Sequence, residues 1–292
     1  MSPEKVTIPE LAKMKKRGEK ITLLTAYDYP MARLVDRAGI DMILVGDSLA
    51  MTVLGHESTL PVTMDEMISH ARAVTRAVER TFVVGDMPYL SYQVSDEEAI
   101  RNAGRFMQEA LTDAVKVEGG EQMLDRIRAI IRAGIPVMGH LGLTPQSLSL
   151  LGGYRVQGKT ARAAKRLLDE AKMLEDAGVF CIVLECVPSE VGKLVTDSVT
   201  IPTLGVGAGP HCDGQILVMH DMLGLFEFFA PKFAKRYVDL AETVTEAFQE
   251  FRRDVKEDRF PGPEHCYTMK QEERERLSAD LPPKTARVKT DP

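Results

Sequence analysis

Cysteine is scarce and unpatterned in this sequence. Its four cysteines, Cys181, Cys186, Cys212 and Cys266, form no C-x-x-C pair, and their spacing matches no zinc-binding pattern. They are expected to be reduced and mostly buried thiols, as suits a cytoplasmic protein. No apolar run approaches the ~20 residues that a membrane span needs. The N-terminus, Met1-Ser2-Pro3-Glu4-Lys5, is polar and leads into no signal-type apolar segment. Positive charge is not in excess either: 37 Lys and Arg stand against 43 Asp and Glu, a net charge of −6. That balance argues against nucleic acid or an anionic membrane as the main partner. No G-x-G-x-x-G follows the first strand-like run, which weakens a dinucleotide-binding sheet. The expected partners are small molecules.

What the chain does contain is a repeated design. Met42-Ile43-Leu44-Val45-Gly46-Asp47-Ser48 is an apolar run that turns at a glycine and then presents a carboxylate and a hydroxyl. Such a run reads as a strand buried on both faces, as in a parallel sheet. Phe82 to Asp86, Ala114 to Glu118 and Cys181 to Glu185 end the same way, each in an acid. Strands that deliver carboxylates to one end of a sheet point to one shared site.

Further runs place strands near residues 22, 43, 82, 115, 137, 182, 204 and 217. Helical stretches separate them, except that the connection between the last two is abbreviated. Thr63-Met64-Asp65-Glu66 and Ser95-Asp96-Glu97-Glu98 match the capping-box pattern. Ala38-Gly39-Ile40, Ala133-Gly134-Ile135 and Ala177-Gly178-Val179 each read as a helix end leading directly into a strand. Eight βα units in about 250 residues predict an α/β fold, a (β/α)8 TIM barrel; an open doubly wound sheet is the rival. A short helix from Thr7 to near Gly18 precedes the first strand and is expected to pack on one end. Leu49 to Pro61 and Leu141 to Lys159 read as long functional loops, and Lys232 to about Lys256 reads as helix. One domain is expected over residues 1–268, followed by a charged, disordered tail over 269–292.

In a barrel, chemistry sits on the loops after the strands. Those positions hold Asp28, Asp47, Ser48, Asp86, Lys116, Glu118, His140 and Glu185. Oxygen ligands from neighbouring strands, Asp47, Asp86 and Glu118, suit a hard divalent cation such as Mg²⁺. Lys116 lies two residues before Glu118, so the two side chains share a face. Lys116 is either a structural ion-pair partner, a cation for a developing oxyanion, or a Schiff-base amine. His140 reads as a substrate contact or as a satisfied structural histidine. Glu185, away from the acid cluster, suits a general base with a raised pKa. Gly207-Ala208-Gly209 is a weak phosphate-loop signal. Together these residues suggest a Mg²⁺-assisted enzyme for deprotonation beside a carbonyl or aldol-type bond formation. A class I aldolase acting through Lys116 and a non-catalytic ligand-binding barrel are the alternatives.

Several stretches resemble the ketopantoate hydroxymethyltransferase family. They include Thr25-Ala26-Tyr27-Asp28-Tyr29, Leu44-Val45-Gly46-Asp47-Ser48-Leu49, Val115-Lys116-Val117-Glu118-Gly119-Gly120, Gly139-His140-Leu141-Gly142-Leu143-Thr144-Pro145-Gln146 and Leu184-Glu185-Cys186-Val187-Pro188. The resemblance runs over roughly residues 7 to 267. It implies a barrel of the phosphoenolpyruvate/pyruvate type, assembled as a homodecamer of two pentamer rings. It implies Mg²⁺ on Asp47, Asp86 and Glu118, substrate contacts from Ser48, Asp86 and Lys116, and Glu185 as proton acceptor. The implied reaction moves a hydroxymethyl group from 5,10-methylenetetrahydrofolate to 3-methyl-2-oxobutanoate, in pantothenate synthesis. Ala50, Gly85 and Tyr89 depart from the usual glycine, alanine and phenylalanine of that pattern.

Overall fold

The apolar runs pair in chain order. In a computed structural model of the chain, which describes residues 4–226 and 231–281, they close into a parallel barrel. The strands are β1 (Ile21–Thr25), β2 (Met42–Val45), β3 (Phe82–Asp86), β4 (Ala114–Glu118), β5 (Val137–Gly142), β6 (Cys181–Glu185), β7 (Thr203–Val206) and β8 (Gly214–Leu217). β1 pairs with both β2 and β8. The closed order rules out the open doubly wound sheet.

Side-chain alternation sorts each strand into an inner and an outer face. Met42, Leu44, Val84, Ala114, Met138, Val183, Leu204 and Ile216 fill the barrel interior as one cluster. Their neighbours Ile43, Val45, Val83, Val115, Val117, Ile182 and Leu184 belong to the outer cluster, under the helices. Because both faces are covered, β2, β3 and β4 are buried at every position, which is why they read as unbroken apolar runs.

The helices follow from local signals. α1 (Ile8–Arg17) carries Leu11 and Met14 into the inner cluster and so closes the N-terminal end of the barrel. α2 (Tyr29–Arg37) is capped by the Asp28 carboxylate, which accepts from the Met31 N–H. α3 (Leu49–Thr52) is a single turn inside the segment expected to be loop. α4 (Met64–Thr75) has the full Thr63–Glu66 capping box, whereas at α5 (Asp96–Gln108) the Ser95 hydroxyl accepts from the Glu98 N–H. α6 (Leu124–Arg132), α7 (Leu148–Leu151), α8 (Ala161–Ala177), α9 (Ser189–Ser198) and α10 (Met219–Leu223) complete the barrel unit. The last strand ends at Leu217 and Met219 already opens α10, two residues earlier than the apolar run suggests, because pairing with β1 sets its register.

Two compact units divide the chain, one ending at Leu240 and one beginning at Ala241. The expected helix from Lys232 begins instead at Leu240, as α11 (Leu240–Lys256). Residues 231–233 are drawn away from helix because Phe233 packs on the inner barrel cluster. α12 (Gln271–Asp280) lies within the span expected to be a disordered tail; its run of Glu and Arg favours helix without any buried face. Residues 282–292 lie outside the described residues. Among the described residues no helix is long and apolar enough to cross a membrane. Of the cysteines, Cys181 and Cys212 are buried, Cys186 is half-buried and Cys266 is exposed, all as free thiols.

The N-terminal ends of the strands are tied by aspartates that each serve a threonine. Asp41 accepts from the Thr22 N–H and hydroxyl, and Asp36 does the same for Thr81. Asp213 accepts from the Thr203 N–H at 2.8 Å, its hydroxyl at 3.0 Å and Lys15 Nζ at 2.9 Å. Lys15 also donates to the carbonyls of Thr196 and Ile201, so Asp213 links α1 to the closing strands. Asp213→Ala is expected to destabilise the fold by about 3 kcal/mol, since it removes the counter-charge of a poorly exposed ammonium and the acceptor of the Thr203 N–H. Urea unfolding measures this; a loss below about 0.5 kcal/mol, typical of an ordinary surface change, contradicts the role.

Candidate active site at the C-terminal mouth of the barrel

Strand register decides which side chains meet. β3 and β4 set Asp86 beside Lys116, β4 and β5 set Glu118 beside His140, and β5 and β6 set Gly142 beside Glu185. Asp86, Lys116, Glu118, His140 and Glu185 share the parity of the inward Val84, Ala114, Met138 and Val183. They therefore stand on top of the apolar plug, at the C-terminal ends of the strands. Asp47 and Ser48 reach the same mouth on the turn after β2.

Lys116 is the hub. Its Nζ lies 2.8 Å from Asp86 Oδ1 and 3.4 Å from Glu118 Oε1, and 3.3 Å from His140 Nδ1. Asp86 Oδ1 nonetheless sits outside hydrogen-bond geometry and has no hydrogen-bond partner. Asp86 Oδ2 accepts from the Asp47 backbone N–H at 2.9 Å. His140 Nδ1 is 3.3 Å from Glu118 Oε1, and its Nε2 is 3.2 Å from Glu185 Oε2. Tyr27 Oη lies 2.8 Å from Ser48 Oγ and fixes that hydroxyl. Lys116, Asp86, Asp47, Glu118 and His140 are all buried.

Burial and crowding set the charges. Burial works to strip Lys116 of its proton, but Asp86, Glu118 and Asp47 outweigh it and hold the ammonium above the ordinary lysine value. Burial, reinforced by the charges of Asp86 and Glu118, pushes the Asp47 carboxyl well above the usual range. Asp86 is also raised, by burial, against the pull of Lys116. Glu118 is lowered: burial raises it, but Lys116, His140 and the Gln146 N–H outweigh that. His140 is pushed up to about 9; burial and Lys116 oppose its charge, and hydrogen bonding to Glu118 and Glu185 prevails. The cluster is short of positive charge for its carboxylates.

Hard oxygen donors buried together and this shortage of positive charge fit a small divalent cation at Asp47, Asp86 and Glu118. As the side chains lie, the Lys116 ammonium is paired with Asp86 and Glu118. Among the described residues no three His, Cys, Asp or Glu side chains form a ready-made cage. The same charges count against Lys116 as a Schiff-base nucleophile, which needs a free amine.

Other expected positions fall elsewhere. Asp28 is spent on capping α2. Gly207 offers no open phosphate cradle, because the Phe233 ring lies against it: a Cβ there would come within 2.6 Å of the ring. Gly85 explains one departure, since a Cβ would fall 2.3 Å from the Phe106 ring; an alanine methyl requires that ring to move. Ala50 is buried in α3 and Tyr89 is largely exposed; nothing in the structure explains either.

Gln146 was missed as a functional residue. Its backbone N–H donates to Glu118 Oε2 at 3.0 Å, and its Nε2 donates to Asp47 Oδ2 at 3.0 Å and to the Met87 carbonyl at 2.9 Å. Tyr92 Oη donates to Gln146 Oε1 at 2.8 Å and lies 3.3 Å from the Glu118 N–H. The polar loop after β5 signalled only that something functional lay there; its folding back onto two acids has no local sequence mark. Above the acids opens a cavity of about 530 Å³, whose upper walls include Met51, Tyr154, Arg155, Val156, Lys232 and Phe233.

Closed parallel barrel and charged mouth together define a (β/α)8 barrel protein with a polar site at the C-terminal ends of its strands. Among solved structures the chain is similar to 2,3-dimethylmalate lyase, a member of the PEP mutase/isocitrate lyase superfamily, with a TM-score of 0.56 and 16% identity over 94% of this chain and 95% of that one. It is similar to phosphonopyruvate hydrolase with a TM-score of 0.60 and 14% identity over 95% and 98%. At such identities the likeness is one of fold. The family model described as ketopantoate hydroxymethyltransferase matches residues 5–263, and the chain belongs to that family. It is 55% identical to the 3-methyl-2-oxobutanoate hydroxymethyltransferase of Syntrophomonas wolfei subsp. wolfei, over 94% of this chain and 99% of that relative. It is likewise 55% identical to the enzyme of that name from Moorella thermoacetica, over 90% and 98%.

Gln146→Met keeps the length of the side chain and removes its amide. The change leaves the Asp47 carboxylate and the Tyr92 hydroxyl short of partners and is expected to cost about 2 kcal/mol of unfolding free energy. An unfolding midpoint equal to that of the unsubstituted chain counts against the bridge.

Proposed function

We propose that this chain is a 3-methyl-2-oxobutanoate hydroxymethyltransferase. It moves the one-carbon unit of 5,10-methylenetetrahydrofolate to C3 of the keto acid, consumes water, and gives 2-dehydropantoate and tetrahydrofolate, a step of pantothenate synthesis. The single observation that carries this reading is the Lys116 ammonium among Asp47, Asp86 and Glu118 with Glu185 at the edge of the same cavity, in a chain of this family. A homodecamer of two pentamer rings belongs to the same reading, on the strength of the family resemblance.

Asp47, Asp86 and Glu118 would hold Mg²⁺, which when bound supplies Lewis-acid polarisation of the keto group. The residues of the chain do the rest. The Ser48 hydroxyl, steadied by Tyr27, donates to a substrate oxygen. The Lys116 ammonium faces the keto oxygen and stabilises the negative charge that develops there when the C3 proton leaves. Glu185 accepts that proton. His140, 3.2 Å from Glu185 Oε2 and 3.3 Å from Glu118 Oε1, orients the Glu185 carboxylate. The apolar walls keep bulk water from the carbanionic carbon until it attacks the one-carbon unit.

Proton abstraction can be read without folate. Incubated in D₂O with Mg²⁺, the protein is expected to exchange the C3 proton of 3-methyl-2-oxobutanoate, as NMR reports directly. Glu185→Gln is expected to slow this exchange about 10²–10⁴-fold, the ordinary contribution of a positioned base, while Mg²⁺ binding measured by calorimetry persists. EDTA should silence the exchange, and borohydride with substrate should leave activity intact. Full exchange in the Glu185→Gln variant removes Glu185 from the role, and trapping by borohydride without EDTA sensitivity selects the Schiff-base aldolase instead.

A further inference from the structure

The cavity is larger than the keto acid at its floor. Its volume of about 530 Å³ lies in the range that encloses a drug-sized ligand, about 300–1,000 Å³. A branched five-carbon acid fills a fraction of that. Charge is also layered: the acids, Lys116 and His140 are buried at the base, and the upper walls carry Met51, Tyr154, Val156 and Phe233. Tyr154 follows β5 and Phe233 follows β8, so the rings reach the cavity from separate parts of the barrel. Tyr154 is joined to α3 through its hydroxyl, 3.6 Å from Met51 Sδ, and Phe233 is seated on Gly207, in the left-handed region at φ +66°.

Each ring has a cation beside it in sequence. Arg155 follows Tyr154 and Lys232 precedes Phe233; both line the cavity and both are exposed. Among the described residues neither side chain takes part in an ion pair, although the base of the same cavity pairs every charge it can.

We infer that this upper half is the subsite of the folate co-substrate, with the pterin against Tyr154 and Phe233 and the glutamate carboxylates at Arg155 and Lys232. The inference rests on the function proposed above and adds where its second substrate sits. A reduced pterin is a flat body that aromatic and thioether side chains cover well. Its tail is anionic, and the Arg155 guanidinium can take a carboxylate in two-point fashion.

Arg155→Met and Lys232→Met are each expected to raise the KM for 5,10-methylenetetrahydrofolate about fivefold, the value of one exposed charge pair. The folate-free exchange at C3 should keep its rate, which also reports that the variants fold. Against 5,10-methylenetetrahydropteroate, which lacks the two glutamate carboxylates and keeps one on the benzoyl ring, the unsubstituted chain should show a raised KM and the variants a smaller further rise. A folate KM unchanged in both variants, or a pteroate KM equal to the folate KM in the unsubstituted chain, overturns the subsite while intact exchange leaves the proposed function standing. Absence of exchange in the unsubstituted chain overturns the proposed function and the subsite with it.

Discussion

A lysine ammonium held inside a barrel is the constraint on which the site depends. Removing such an ion from water costs several kcal/mol unless partners replace the lost hydration. Lys116 finds those partners in Asp86 and Glu118, which register brings to it from the neighbouring strand and from two positions along its own. Three buried acids around one ammonium then overshoot: burial, with their mutual repulsion added, raises Asp47 and Asp86. Such a cluster holds its shape only where surrounding groups anchor each member. Gln146, the Asp47 backbone N–H and His140 do that anchoring.

The two ends of the barrel divide stability from chemistry. At the N-terminal end, aspartates accept from threonines and from Lys15, each charge has a partner, and α1 closes the apolar interior. At the C-terminal end the charges are crowded, one Asp86 oxygen lacks a hydrogen-bond partner, and a cavity opens over them. The apolar layer of Leu44, Val84, Met138 and Val183 separates the two. Strain at the mouth is carried by a plug and a base that have no part in the reaction.

Within the mouth, depth sorts the roles. Lys116 is too well paired to act as a nucleophile and serves as a fixed positive charge. Glu185, with a side chain 17% exposed against 3% for Glu118, stands at the border between cluster and cavity. His140 couples the two carboxylates, one on each ring nitrogen. At the rim, Arg155 and Lys232 are exposed, whereas the charges at the base are buried.

Much of this was legible in the sequence. Apolar runs, four of them ending in acids, marked seven of the eight strands closely, with the eighth displaced by two residues, and their parity put Lys116 and Glu118 on one inward face. Ala-Gly-Ile and Ala-Gly-Val joints marked helix ends, and Gly39, Gly134 and Gly178 indeed take positive φ. Asp47, Asp86, Lys116, Glu118, His140 and Glu185 could be placed at one mouth from order alone, because a strand's direction fixes which end its last residue faces. Gln146, Tyr27 and Tyr92 could not, since nothing local distinguishes a buried bridging amide or hydroxyl from a solvated one. The start of α11 was likewise hidden: residues 232–239 carry a helical pattern, but Phe233 gains more by covering Gly207 and the inner cluster. The sequence by itself determined the strands, their order and the acids they deliver. Tertiary structure alone decided which polar groups touch, because hydrogen bonds between residues a hundred positions apart depend on barrel register and loop return, neither of which leaves a periodic trace.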